Sequence, residues 1–279
     1  MATIDLDFSA PQVMAIVNVT PDSFYDGSRT PDDAALERRI AQVMAEGASI
    51  VDVGGYSSRP GADEVSAEEE WRRVRRGVAA VRRMDPTVAV SVDTFRSEVA
   101  ERAIEAFGPL VVNDISAGEL DARMASVVAR YDVPYIAMHM KGDPKTMQSL
   151  TDYRRDIVTE VVSYFERRTA ELLAAGIRRE RLILDPGFGF AKTLEQNYEL
   201  LAGLDRLVAL GLPVLAGLSR KSMIYRALGV SPAESLAGTV ALGWECLRQG
   251  AAILRVHDVK EAVDTVRLFA LYRRQERER

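Results

Sequence analysis

The chain has 279 residues, 47% hydrophobic and 28% charged, which is enough apolar content to bury a sizeable core and excludes a disordered or fibrous chain. Its net charge of −5 arises from 36 basic and 41 acidic residues with no basic block, so composition offers no electrostatic footprint for nucleic acid. One cysteine, Cys246, excludes an intrachain disulfide, two histidines exclude a Cys/His zinc site, and a reducing compartment is expected.

The N-terminal stretch MATIDLDFSAPQ lacks a basic region followed by an apolar one, and no window reaches 18 uninterrupted apolar residues. A cytoplasmic protein with no membrane partner is expected. Short apolar runs then recur along the chain: VMAIVNV from Val13, SIVDVGG from Ser49, VAVSVDT from Val88, LVVND from Leu110, PYIAMH from Pro134, RLILDPG from Arg181, PVLAGLS from Pro213 and AAILRVH from Ala251. Helical stripes lie between them. Leu36, Ile40, Val43 and Met44 share a face after Thr30-Pro31, a start signal. Trp71, Val74, Val78 and Val81 follow Ser66 and Glu69, which have capping-box spacing. Ile157, Val161, Tyr164 and Phe165 form a third stripe that continues to Leu172.

Apolar runs without polar alternation suit strands covered on both faces, and their alternation with helices argues for repeated βα units. Eight such units predict an α/β protein of the (β/α)8 TIM-barrel type, one domain over 1–279 with its barrel core at about 13–270. A doubly wound open sheet is the alternative, because periodicity does not show closure.

Ligands bind at the C-terminal ends of parallel strands in both architectures. Those ends carry Asn18, the Ser57-Ser58-Arg59 cluster, Asp93, Asn113 with Asp114, His139, Asp185, Ser219-Arg220-Lys221, and Arg255 with His257. Asp, Asn and Ser in such places often only cap turns. Caps do not call for arginine, lysine and histidine, and Arg255 and His257, two apart, point the same way in an extended strand. Asp93, Asn113 and Asp185 suit a ligand rich in N–H donors, while the cations of the last strands, with Asn18, suit an anionic group such as phosphate. PGFGFAKT, residues 186–193, evokes a phosphate-binding loop, but Ala191 and Pro186 occupy glycine positions and that reading is rejected.

The motifs NVTPDSFYDG (from Asn18), DVGGYSSRPGADEVS (from Asp52), SVDT (from Ser91), VNDISAG (from Val112), MHMKGDPKTMQ (from Met138), LDPGFGFAKT (from Leu184), GLSRKS (from Gly217) and RVHDV (from Arg255) resemble the dihydropteroate synthase family, in order, from about Val13 to Leu268. The resemblance implies a homodimeric barrel transferase. It would join 6-hydroxymethyl-7,8-dihydropterin pyrophosphate to p-aminobenzoate in folate biosynthesis, with magnesium as cofactor and sulfonamides competing with p-aminobenzoate. It implies a catalytic set of Asp93, Lys221, Arg255 and His257, and a pterin site of Asp93, Asn113, Ile115, Met138, Asp185 and Lys221. Asn18, Arg255 and His257 would hold pyrophosphate, Asn18 also being the metal ligand. Phe190 and Ser222, with the loop residues Phe24, Asp26, Ser58, Arg59 and Pro60, would surround p-aminobenzoate. The implied chemistry is dissociative, with Asp93 stabilising a cationic pterin methylene. Tyr56 and Ser58 depart from the family's usual acid and threonine. A non-catalytic pterin-binding paralogue and a pterin-dependent methyltransferase domain are the alternatives. The latter has no use for the cations of the last two strands.

Overall fold

The computed structural model describes residues 4–20, 33–56 and 64–277. Its strands are β1 (Gln12–Asn18), β2 (Ile50–Gly54), β3 (Ala89–Asp93), β4 (Val111–Asp114), β5 (Tyr135–Met138), β6 (Leu182–Asp185), β7 (Leu215–Ala216) and β8 (Ile253–Val256). The helices are α1 (Asp33–Ala45), α2 (Ala67–Met84), α3 (Ser97–Phe107), α4 (Met124–Tyr131), α5 (Ile157–Ala174), α6 (Leu194–Ala202), α7 (Leu204–Val208), α8 (Ser222–Leu228), α9 (Leu236–Arg248) and α10 (Val259–Arg277).

Every apolar run read from the sequence yields a strand, and all but β1 are shorter than the run itself. The strands pair in parallel in the order β6-β5-β4-β3-β2-β1-β8-β7. The two ends of that order meet through one bridge, Leu184 with Val214, where Leu184 N also donates to Pro213 O at 2.9 Å. The sheet therefore closes into a barrel, which sets aside the open doubly wound alternative.

Period-two alternation sorts each strand into two faces. Val13, Ala15 and Val17 of β1, with Val51, Val53, Val90 and Val92, pack outward against the helices in the main core. There the predicted stripes are buried: Leu36, Ile40 and Val43 on α1, Trp71, Val74, Val78 and Val81 on α2, and Ile157, Val161, Tyr164, Phe165 and Leu172 on α5. Each such side chain contributes about 1.5–3 kcal/mol by leaving water. Thr30-Pro31 lies outside the described residues. The capping box is half formed. Ser66 Oγ accepts from Glu69 N at 3.2 Å, but the Glu69 carboxylate instead takes Arg73 Nε at 2.7 Å. An arginine one turn on offers a charge-assisted bond, stronger than a neutral backbone donor.

The inward face begins with an apolar base of Met14, Ile50, Ala89, Val111, Ile136, Ile183, Leu215 and Ile253, one per strand, on which Ile4, Leu6 and Phe8 pack from below. Arg181 fastens that N-terminal segment by donating to Ile4 O at 2.9 Å and Asp5 Oδ1 at 2.7 Å. Two residues further along each chain the inward positions are Ile16, Asp52, Ser91, Asn113, Met138, Asp185, Gly217 and Arg255. Apolar packing thus gives way to polar groups toward the strands' C-terminal ends. Among the described residues, no helix is long and apolar enough to cross a membrane.

Candidate active site

Arg255 on β8 is the hub of the polar mouth. Its Nε donates to Asp52 Oδ2 at 2.7 Å and its Nη2 to Asp93 Oδ2 at 2.7 Å. Asn113 Nδ2 donates to the same Asp52 oxygen at 3.2 Å. Two glycines make room for the convergence. A Cβ on Gly54 would lie 3.2 Å from Asn18 Oδ1 and 3.8 Å from Asp93 Oδ2, and one on Gly217 would lie 3.8 Å from Asp185 Oδ2 and 3.9 Å from Arg255 Cβ. Side chains from β1, β2, β3, β4, β6 and β8 therefore meet at one end of the barrel.

Burial dominates the electrostatics here. It pushes the Asp93 carboxyl up to about 7, with Arg255 pulling it down and Asp52 pushing it further up. Asp185 is likewise raised by burial, against the pull of Lys221. Burial brings the Lys221 ammonium down to about 8, opposed by Asp185. Burial also disfavours the Arg255 charge, but Asp52 and Asp93 outweigh it and hold that guanidinium above its ordinary value.

Lys221, at the start of α8, donates to Phe188 O at 2.6 Å and lies 4.7 Å from the centre of the Phe190 ring. Ser222 follows it as the first residue of α8. Phe190 and Phe95 are half-buried and pack on a small apolar cluster of Ile115, Met138, Met140, Met147 and Ala191. The polar mouth thus has an aromatic and thioether wall, suited to planar ring systems. His257 Nδ1 lies 3.1 Å from Ser219 Oγ, which also accepts from His257 N at 3.2 Å, so a buried hydroxyl orients the imidazole. Asn18 ends β1 with its amide oxygen over Gly54.

Of the residues singled out in the sequence, Asn18, Asp93, Asn113, Asp185, Lys221, Arg255 and His257 gather at this end, with Ile115, Met138, Phe190 and Ser222 beside them. Phe24, Asp26, Ser58, Arg59 and Pro60 lie outside the described residues. Arg220 does not join the anion site. It forms a bidentate pair with Asp258, at 2.8 and 2.7 Å, and donates to Pro232 O and Ala233 O, all from a backbone with φ of 54°. Asp114 faces outward and binds its own turn, accepting from Ser116 N and Gly118 N at 2.8 Å each and from Tyr135 OH at 2.7 Å. His139 is buried, 3% exposed. Two residues were missed. Asp52 and Ser91, cross-strand neighbours inside the barrel, each keep one buried oxygen, Asp52 Oδ1 and Ser91 Oγ, without a hydrogen-bond partner. Counting back by twos from Gly54 and Asp93 would have found both.

A (β/α)8 barrel with paired carboxylates, an amide, a lysine and an arginine–histidine set at its C-terminal mouth defines a barrel enzyme that grips a small ligand carrying both N–H donors and an anion. The profile of a family described as pterin binding enzyme matches residues 14–257. Over 264 residues the chain is 46% identical to a dihydropteroate synthase of Escherichia coli strain K12, covering 94% of this chain and 92% of that one. A Xanthomonas albilineans dihydropteroate synthase solved with 4-aminobenzoic acid superposes with a TM-score of 0.88 at 41% identity, covering 96% of this chain and 95% of the other. The same organism's enzyme in complex with 7,8-dihydropteroate gives a TM-score of 0.84 at 38% identity, with the same coverage. The chain belongs to the pterin binding enzyme family, and within it to the dihydropteroate synthases.

Proposed function

We propose that this chain condenses 6-hydroxymethyl-7,8-dihydropterin pyrophosphate with p-aminobenzoate, giving 7,8-dihydropteroate and pyrophosphate for folate synthesis. The observation that carries the reading is that one mouth brings together acceptors, Asp93, Asn113 and Asp185, and cations, Arg255 and Lys221, with His257; Arg255 is paired to Asp93 at 2.7 Å. A pterin edge presents N–H donors to the first set, and ionised aspartates only accept. A diphosphate suits Arg255 and His257, with Asn18, because a guanidinium binds phosphate oxygens in pairs, and Lys221 belongs with the pterin. Ile115 and Met138 cover the ring faces, and Phe190, Lys221 and Ser222 meet the arylamine.

Without substrate, Arg255 is neutralised by Asp52 and Asp93. When diphosphate engages Arg255 and His257, Asp93 is left next to the carbon from which the leaving group departs. Its negative charge then faces the cationic pterin methylene formed when the C–O bond breaks, and electrostatic stabilisation of that kind acts in the transition state. The weakly nucleophilic arylamine attacks that carbon without needing a strong base.

Among the described residues, no group of three or more His, Cys, Asp or Glu could hold a metal by itself. Magnesium keeps several waters and binds through one or two protein oxygens plus substrate phosphates. The Asn18 amide oxygen at the mouth is such a donor, and magnesium bound there would neutralise charge building on the leaving diphosphate. We also propose a homodimer in the cytoplasm. On α10, Leu268 and Leu271 are 61% and 64% exposed, and Tyr272 beside them packs on Trp244 of α9, supporting a second copy on that face.

Purified protein incubated with the pterin pyrophosphate, p-aminobenzoate and magnesium should release pyrophosphate and dihydropteroate together. Pterin binding with neither product overturns the reading.

A further inference from the structure

The loop between β6 and α6 holds a second lysine for which the reaction has no use. Lys192 is 5% exposed, and its Nζ lies 3.0 Å from His139 Nδ1, 2.9 Å from Gly187 O and 3.0 Å from Phe190 O. An ammonium has three donors, and three acceptors surround it. With Nδ1 accepting, the imidazole carries its own proton on Nε2. Burial, and then the Lys192 charge, keep His139 well below its ordinary value and therefore neutral. Burial also brings Lys192 itself down to about 7, against the pull of Asp185.

Buried loop backbone must find partners for its polar groups, and here a side chain reaches each of five successive carbonyls, one of which, Gly187 O, also accepts from Phe190 N at 3.0 Å. Gly187 O accepts from Lys192, Phe188 O from Lys221, Gly189 O from Gln148, Phe190 O from Lys192 and Ala191 O from Tyr153. Lys192 thus grips the carbonyls on both sides of the one that holds Lys221. The loop also sits directly on the end of β5, since a Cβ at Gly187, where φ is 69°, would come within 2.1 Å of His139 O.

We propose that Lys192, seated on neutral His139, is a positioning residue that fixes the Lys221 ammonium and the Phe190 ring for the arylamine. Lys192 touches no substrate in this role. The role rests on the reading that Phe190 and Lys221 face p-aminobenzoate. Asp93 and Asn113 lie on strands and are held by the sheet, so when Lys192 is changed the pterin keeps those two contacts and is disturbed only through Lys221, whereas the arylamine is disturbed through both Phe190 and Lys221.

Lys192→Met keeps the chain length and removes the charge and donors. It should raise KM for p-aminobenzoate about tenfold or more while KM for the pterin pyrophosphate stays within about threefold. His139→Gln, which keeps an acceptor for Lys192, should stay within about threefold of the parent in both, and His139→Leu should behave as Lys192→Met. A purely structural role would lower the amount of active enzyme and leave both KM values alone. That outcome, or equal rises in both, overturns the proposal. A measurement independent of turnover separates this idea from the functional reading: nitrogen-15 NMR of the two histidines at about pH 6, with His139 assigned by difference from His139→Gln. The seat requires a neutral ring with its proton on Nε2. A proton on Nδ1, or a charged ring, overturns it even if the protein makes dihydropteroate, whereas the expected tautomer without turnover counts against the functional reading and leaves the seat standing.

Discussion

Replacing Asp93 by asparagine separates the two duties of the mouth. The substitution keeps the shape and removes one negative charge beside the reacting carbon. A carboxylate about 4 Å from a developing cation, at an effective dielectric of about 20, is worth about 4 kcal/mol. Asp93 shares its charge with Arg255 at 2.7 Å and its side chain is 22% exposed, so the full value is not realised. A loss of about 3 kcal/mol corresponds to about a hundredfold in kcat. Pyrophosphate should respond differently, because Arg255 keeps Asp52 as a partner and loses only a competitor for its guanidinium. Its Kd, measured calorimetrically with magnesium present, should therefore stay within about threefold, while single-turnover formation of dihydropteroate slows by about a hundredfold. Equal losses in both quantities would refute the assignment of Asp93 to cation stabilisation.

The pH dependence follows from the same groups. Asp93, held at about 7, must be ionised and Lys221, held at about 8, must be protonated, so kcat/KM should fall below about 7 and above about 8, and Asp93→Asn should abolish the acid limb alone. Gly187→Ala forces a Cβ onto His139 O from a left-handed backbone, and should cost about 3 kcal/mol in denaturant unfolding, or prevent folding. Arg220→Met should lower stability by about 1–3 kcal/mol through loss of the Asp258 pair while leaving pyrophosphate affinity within about threefold, in contrast to Arg255→Met, which should weaken it more than tenfold. A large loss of pyrophosphate affinity in the Arg220 variant would restore that arginine to the anion site.

Parallel strands buried on both faces are written as continuous apolar runs, and for that reason all eight strands are legible in the sequence. The strand-end chemistry was legible too, since Asn18, Asp93, Asp185 and Arg255 interrupt apolar runs where turns begin. Choosing between neighbours was harder. Asn113 faces in and Asp114 faces out, and a shift of one residue in the strand exchanges them. Lys221 and Arg220 differ in the same way, and only the Asp258 carboxylate, 38 residues along the chain, shows why Arg220 turns aside. Asp52 lay hidden among valines because a polar residue inside a strand marks no boundary. Lys192 was masked by a motif that resembled a phosphate loop, and its role depends on His139, 53 residues distant. No local pattern encodes that pairing.

Among the described residues one bridge, Leu184 with Val214, joins the two margins and makes this barrel a rolled ribbon buttoned at one point. Strands β1 to β6 can pair in chain order, but, the button aside, β7 is held to the rest of the ribbon only through β8, the last strand, which pairs with both β7 and β1. Asp185 stands just past the button on one margin, and Gly217 leads to Lys221 on the other. Asp185 and Lys221, the two groups proposed to meet the pterin, are thus brought into register across the thinnest seam of the barrel. A ligand spanning Asp185 and Lys221 acts as a second fastening, and its hold would register first as slower amide exchange at Leu184, ahead of the strands joined by longer ladders.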